Sequence, residues 1–246
     1  MMEIFTADLH RIFFRKPRLL IAGAAAAVCV MSCLLAKNDI STLKMMSFGL
    51  DVFFPLALAA LGLLDFVYVF ADDVDSHAYV AVIGQGMKRG RFAAMKLLEA
   101  VTVFTADVLL FNGLVLLLIG TGLLNTAFMS PEMWMTMNVC AWIKIVISMF
   151  AGSVFVFGNG SMIAASVAFL AVNSGVAEGL FSHVFRLPLI ANLHLDSWMP
   201  GMLTSTFSSK LYLGMTDWAA AGVLIGFVIV LGAAAIAAFK FRELEF

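Results

Sequence analysis

Six long apolar stretches separated by polar connections dominate the hydrophobic pattern of this chain. Each stretch has roughly 18 residues or more, the length that a helix needs to cross a hydrocarbon layer about 30 Å thick. A soluble domain of this size could not bury so much apolar surface. The pattern therefore predicts an all-α integral membrane protein with six transmembrane helices, at Leu19–Ala36, Val52–Ala71, Leu97–Leu118, Val139–Phe157, Ile163–Phe181 and Trp218–Phe239.

Composition narrows the class of protein further. Hydrophobic residues make up 63% of the 246 positions, so the spans leave no room for a separate soluble domain. A net charge of −1 provides no basic field for a nucleic-acid partner. Cys29, Cys33 and Cys140 all lie in apolar stretches without the acidic or histidine neighbours of a metal site, so we expect buried free thiols.

Lysine and arginine are unevenly distributed between the two sides of the predicted spans. The termini and the second and fourth loops share one side, which carries ten cations against four on the other. The positive-inside rule then predicts a multi-pass protein with both termini in the cytoplasm. The ten are Arg11, Arg15, Lys16, Arg18, Lys88, Arg89, Arg91, Lys96, Lys240 and Arg242, and the four are Lys37, Lys44, Arg186 and Lys210.

Residues Glu3 to Lys16 form an amphipathic segment before the first span. Its apolar residues recur at helical spacing, while its charged residues lie elsewhere on the helix. We expect a helix that lies in the cytoplasmic membrane interface, with an inward extension of the first span as the alternative. The apolar face consists of Ile4, Phe5, Leu9, Ile12 and Phe13.

The connection from Asp72 to Lys96, between the second and third spans, is the largest predicted cytoplasmic feature. It opens with three carboxylates, which favour the N-terminus of a short helix. It ends in a glycine-rich and cationic run, which is typical of contact with phospholipid headgroups. No GxxxxGK[ST] motif occurs anywhere in the chain, so a nucleotide-binding loop is not predicted.

The connection from Ser182 to Asp217, on the opposite side, mixes prolines and polar residues with apolar pairs. It is too apolar for a free loop, and it predicts short helices at the outer leaflet between the fifth and sixth spans. His183 and His194 lie eleven residues apart with one nearby aspartate, which is a poor metal-ligand pattern.

Four ionisable residues fall inside predicted spans: Asp65, Asp107, Lys144 and Glu178. Such groups are costly in a bilayer and usually have a partner or line a pathway. Counting 1.5 Å per residue puts Lys144 nearer in depth to Glu178 than to Asp107. We therefore expect a Lys144–Glu178 ion pair between the fourth and fifth spans, with Asp107 as the alternative partner, in either a structural or a transport role.

Two small-xxx-small spacings also lie in predicted spans. Gly175 and Gly179 form the first, and Gly222 and Gly226 form the second. Spacings of this kind let two helices approach closely. We expect packing within one subunit in preference to a seam between two copies.

The order of these segments resembles the permease subunit of a type-2 ABC exporter, in the ABC-2 transporter superfamily, over essentially the whole chain. The resemblance starts with Arg15-Lys16-Pro17-Arg18 before the first span. It continues with Gly84, Lys88-Arg89, Phe92 and Lys96 after the second span, and ends with the tail Phe239-Lys240-Phe241-Arg242-Glu243-Leu244. Residues 1–246 would then form a single transmembrane permease domain.

That resemblance implies a non-catalytic subunit of an exporter in the bacterial cytoplasmic membrane. The loop after the second span would form a coupling helix seated on a soluble ABC ATPase, which binds ATP and Mg²⁺; the chain itself would need no cofactor. Two permeases, as a homodimer or with a related permease, would join two ATPases in the lipid bilayer, with no nucleic acid. The candidate coupling residues are Asp72, Asp73, Asp75, Gly84, Gly86, Lys88 and Arg89, although the run of acidic residues departs from the family pattern.

Two other classes of function compete with this interpretation. An ion-coupled secondary transporter would use Asp65, Asp107 and Glu178, but the sequence shows no evident inverted repeat. An intramembrane enzyme is less favoured, because Ser161 is not in a GxSG motif and no HExxH motif is present. The identity of a transported substrate does not follow from the sequence.

Overall fold

The computed structural model describes residues 2–16, 18–20, 23, 40–76, 78–122, 131–185 and 195–242. Within these ranges the regular structure is helical and contains no strand. The helices are α1 (Met2–Phe13), α2 (Ile40–Asp75), α3 (Ala78–Gly84), α4 (Arg89–Gly120), α5 (Pro131–Asn159), α6 (Met162–Asn173), α7 (Val176–Phe185), α8 (Pro200–Tyr212) and α9 (Trp218–Phe241), with a short 3₁₀ turn at Leu195–Trp198.

Four of the described helices are long and apolar enough to cross a membrane. Their spanning segments are Pro55–Asp75, Arg89–Leu118, Thr136–Asn159 and Trp218–Phe241. They coincide with the second, third, fourth and sixth predicted spans, and the chain is therefore an all-helical protein with the character of a multi-pass membrane protein. The first predicted span, Leu19–Ala36, lies almost entirely outside the described residues, as do Cys29 and Cys33.

The fifth predicted span, Ile163–Phe181, is not one straight helix. It consists of α6 and α7, which meet at an angle of 69°. Gly175 lies at the break with φ +79°, a left-handed conformation that glycine adopts without the strain other residues incur. If the bent pair crosses as one unit, the described helices provide five spans.

Helix α5 is the centre of the bundle. It packs against α2, α4, α6, α8 and α9. Phe66 of α2 and Phe169 of α6, both fully buried, stack with their ring centroids 6.0 Å apart, in the layer where α2, α5 and α6 meet. Aromatic pairs of this kind fill the interior and add to the stability that close packing provides.

Close helix approach depends on glycines other than those in the predicted spacings. A Cβ atom at Gly152 of α5 would lie 2.9 Å from both the Ala165 carbonyl oxygen and the Phe66 ring. Among the described residues, Cβ atoms at Gly175, Gly179, Gly222 and Gly226 would meet nothing within 4 Å. The predicted packing role of those four is therefore not seen against the part of the chain that the structure describes.

The segment after α7 matches its prediction in part. Residues 186–194, which include His194, lie outside the described residues. Beyond them come the 3₁₀ turn and α8, whose first helical position is Pro200, where a missing N–H costs nothing. The described part of this segment thus contains one helix, α8, and one 3₁₀ turn in the region where short helices were predicted.

Gly152 offers a direct test of the α2–α5–α6 contact. Gly152→Ala should destabilise the protein by about 1–3 kcal/mol, because the new methyl group meets a backbone carbonyl that cannot move aside. Gly226→Ala is the matched control, since its methyl group enters open space and alanine is the better helix former. Thermal unfolding in detergent measures both; equal stability of the two variants would contradict the packing described here.

Candidate functional site

Helix α1 joins the bundle at the end where α3 lies, called the α3 end below. Its apolar face packs on the core through buried Ile12 and partly buried Phe5, Leu9 and Phe13, and the helix contacts α4. The predicted amphipathic helix is thus present. Its apolar face was expected to contact lipid, but these four residues contact protein.

Lys96 of α4 is the centre of a buried group of charges at the α3 end. Its Nζ lies 2.8 Å from Asp8 Oδ2 of α1, 2.7 Å from Asp73 Oδ2 of α2 and 2.8 Å from Glu99 Oε2 one turn further along α4. Lys96 is 1% exposed and Glu99 is fully buried. One ammonium group therefore contacts carboxylates from three helices, and it binds these helices together.

The acidic run Asp72, Asp73 and Asp75 closes α2 and does not start α3. The predicted role of these carboxylates at a helix N-terminus is therefore wrong. Carboxylates at a helix C-terminus are unfavourable with respect to the helix dipole. Cations offset this cost, because Arg15 Nη1 lies 2.9 Å from Asp72 Oδ2 and Arg11 Nη2 lies 3.8 Å from Asp73 Oδ1.

A second buried charge group lies about 12 Å deeper along α2, by the count of eight residues from Asp73 to Asp65. Arg18 Nε donates a hydrogen bond to Asp65 Oδ1 at 3.2 Å, and Arg18 Nη2 lies 2.6 Å from Asp107 Oδ2. The guanidinium group also lies over the Phe13 ring at 4.6 Å. These three residues, Arg18, Asp65 and Asp107, are called the Arg18 triad below.

The expected Lys144–Glu178 pair does not form, and neither does its Lys144–Asp107 alternative. Glu178 Oε1 instead accepts a hydrogen bond from the Gly201 N–H at 2.7 Å, at the start of α8. A carboxylate there is favoured by the helix dipole, and it fixes α7 against α8. Asp107 pairs with Arg18 instead.

Helix α3 is fastened to the end of α9. Buried Tyr79 of α3 packs edge-on against Phe239 at 5.8 Å, and Arg242 lies over the Tyr79 ring at 5.6 Å. On α4, Phe92 packs on the same Phe239 ring at 5.8 Å, and Arg89 donates a hydrogen bond to the Arg242 carbonyl at 2.6 Å. The loop segment and the tail that carry the family resemblance therefore meet in space.

The candidate coupling residues divide into two sets. Asp72, Asp73 and Arg89 are engaged by ion pairs or hydrogen bonds within the chain. The other four are exposed, with Gly86 in a left-handed turn at φ +98° that ends the α3 segment. The exposed set is Asp75, Gly84, Gly86 and Lys88.

Several polar contacts away from the α3 end hold helices together. Trp134 Nε1 donates to Asn112 Oδ1 at 2.8 Å, and Asn112 Nδ2 donates to Asn138 Oδ1 at 2.8 Å, which joins α4 to α5. At the exposed start of α9, a hydrogen bond from Lys210 Nζ, with a second from a backbone N–H, lowers the pKa of Asp217.

Among the described residues no cluster of histidine, cysteine or acidic groups has the arrangement of a metal site.

Sequence reasoning missed Arg18 as a functional side chain and passed over Glu99. From the sequence, Arg18 was interpreted as a cation of the N-terminal segment and as part of the family resemblance, although its long side chain reaches both carboxylates. Glu99 stands three residues after Lys96, the spacing of an ion pair on one helix face. That spacing was the one available signal for the buried charges of α4.

Comparison with protein-family models, with curated proteins and with solved structures finds no match for this chain.

Lys96 tests the importance of the charge group at the α3 end. Lys96→Met should destabilise the protein by about 3–5 kcal/mol, because it leaves the fully buried carboxylate of Glu99 without a cation and Asp73 with only the more distant Arg11. Lys210→Met, which breaks an exposed pair with Asp217, is the control and should change stability little. Thermal unfolding of the purified variants measures the difference. A Lys96→Met protein as stable as the control would contradict the role of Lys96 in holding α1, α2 and α4 together.

Proposed function

We propose that this chain is the permease subunit of an ABC exporter of the ABC-2 type, moving a substrate out of the cytoplasm with ATP hydrolysed by a separate subunit. The observation that carries the proposal is α3, a short helix between two long apolar helices. One side of α3 is anchored by buried Tyr79, while Ala81 and Gly84 are exposed. A helix of this form can be seated on a soluble partner and still be fixed to the spans.

The anchoring of α3 supports its assignment as the coupling helix. Tyr79 contacts Phe239 and Arg242 of the α9 end, and Phe239 also contacts Phe92 of α4 and Phe157 of α5 at 5.1 Å. A displacement of α3 by an ATPase would therefore act on three long helices through one aromatic cluster. Packed rings transmit displacement well because protein interiors have low compressibility.

The exposed coupling residues provide the surface for the partner. Asp75 and Lys88 present opposite charges on either side of α3, and Gly84 and Gly86, which have no side chains, flank the exposed Gln85 at its end. Charges that remain free of internal pairs can orient an incoming protein. In this proposal Asp72, Asp73 and Arg89 hold the loop in place, and the exposed set meets the ATPase.

The assembly implied by the proposal places both termini in the cytoplasm of a bacterial cell and pairs the chain with a second permease, identical or related. Exposed apolar residues on α4 and α9 support burial against lipid or a second copy. They include Leu109, Leu110, Ile225, Ile229 and Val230.

The alternative function is an ion-coupled secondary transporter that uses the intramembrane carboxylates. The broken α6–α7 span favours it, because discontinuous helices occur at transporter binding sites. The carboxylates of Asp65 and Asp107 lie on the Arg18 side, however, and Glu178 caps α8. Of the three intramembrane carboxylates, only Glu178 lies beside the α6–α7 break, and it is bonded to the backbone of α8.

The proposal predicts that the purified chain hydrolyses no ATP alone and copurifies with a P-loop ATPase from its native membranes, because the sequence has no phosphate-binding loop. ATPase assays of the single chain and mass spectrometry of the copurified protein are the measurements. Robust hydrolysis by the chain itself would overturn the proposal. Substrate transport in sealed vesicles driven by an ion gradient without ATP would favour the alternative.

A crosslinking experiment tests the assignment of α3. Gln85→Cys, at the exposed end of α3, should crosslink to the ATPase in native membranes. Met215→Cys is the matched control, exposed before α9 at the opposite end of the bundle, and should give no such product. Crosslinks from Gln85→Cys that reach only lipid, or an equal ATPase product from Met215→Cys, would count against a coupling helix.

A further inference from the structure

The Arg18 triad contains one cation and two carboxyl groups in a buried position. Asp65 is 1% exposed and Arg18 is 7% exposed, and the Asp107 side chain is 11% exposed. With all three groups ionised, the triad would carry one excess negative charge. A charge of this kind inside a bilayer is costly unless something neutralises it.

The geometry provides a place for the neutralising group. Asp65 Oδ1 accepts the hydrogen bond from Arg18, but Asp65 Oδ2 is buried and has no hydrogen-bond partner. Arg18 Nε lies 3.2 Å from Asp65 Oδ1 and Arg18 Nη2 lies 2.6 Å from Asp107 Oδ2, so one guanidinium group holds the two carboxyl groups side by side. Two carboxyl oxygens this close repel each other when both are ionised, and a proton between them converts the repulsion into a hydrogen bond.

Nearby cations do not remove the excess. Among the described residues, Arg18 is the cation that pairs with Asp65 and Asp107, and Lys144 of α5 pairs with neither. Lys16, the nearest cation along the chain, is exposed, and Arg15 pairs with Asp72 at the α3 end and lies over the Tyr68 ring. No second cation among the described residues therefore offsets the excess charge of the triad.

We propose that Asp65 and Asp107 share one proton beside Arg18, so that the Arg18 triad is a buried proton-binding site. The proton completes the hydrogen bonding of Asp65 Oδ2 and makes the triad neutral. The site is independent of the proposed function, because an ATP-driven permease requires no proton for its energy.

Infrared spectroscopy of the whole protein in lipid nanodiscs tests the site without any substitution. Near neutral pH the spectrum should contain the C=O stretching band of a protonated carboxyl group. Growth with aspartate carrying ¹³C in its side-chain carboxyl group should shift that band, which separates it from buried Glu99. Absence of a band that shifts with labelled aspartate would overturn the proposal.

Substitutions assign the band to the triad. Asp65→Asn and Asp107→Asn should each abolish it, because either change leaves one carboxylate for one guanidinium group. Arg18→Gln should raise its area about twofold, since both carboxyl groups then need a proton. Asp75→Asn is the matched control, removing an exposed carboxylate, and should leave the band unchanged.

Two further outcomes would also overturn the proposal. An aspartate band that persists in both Asn variants would belong to a different carboxyl group. A band that appears only when Na⁺ and K⁺ are removed from the buffer would mean that a metal cation, not a proton, normally neutralises the triad.

Discussion

The architecture depends on the neutralisation of carboxylates that two long apolar helices carry into their packed interior. Asp65 and Asp73 of α2, with Glu99 and Asp107 of α4, are nearly or fully buried. Desolvating a charged group without a partner costs more free energy than packing alone can return. Cations pair with these carboxylates: Arg11 and Arg18 come from the first segment of the chain, and Lys96 comes from α4.

These ion pairs determine where α1 lies and how the α3 end is built. With Asp72 and Asp73 held by α1 and α4, α2 continues to Asp75 in spite of its unfavourable C-terminal charges. The chain then turns through α3 within a short distance of the α9 end, where Phe239 receives Tyr79 and Phe92. The ion pairs fix the positions of α1, α2 and α4 along one another, and the aromatic cluster holds α3 and α4 against the end of α9.

The sequence could predict helices whose signal is an uninterrupted apolar window, as α4, α5 and α9 show. It could not predict the break at Gly175, because an apolar window does not distinguish a glycine at positive φ from one that packs. Pairings failed for a different reason. Counting residues gives the depth of a residue along its helix but not which helix faces meet. Lys144 and Glu178 have similar counted depths, yet Glu178 bonds to the Gly201 N–H and not to Lys144. Arg18 was missed since a side chain at a span boundary can reach inward past its own backbone position.

The order of the charged residues along the chain bears on how such a protein is made. Arg11, Arg15 and Arg18 are synthesised before Asp65, Asp72, Asp73 and Asp107, the carboxylates that they neutralise. Each acidic helix therefore leaves the ribosome when its cationic partner already exists, and a chain that is released stepwise into the membrane can form each pair as the acidic residue arrives. An arrangement with the acidic residues first would expose unpaired carboxylates to lipid during biogenesis, and the present order avoids that interval.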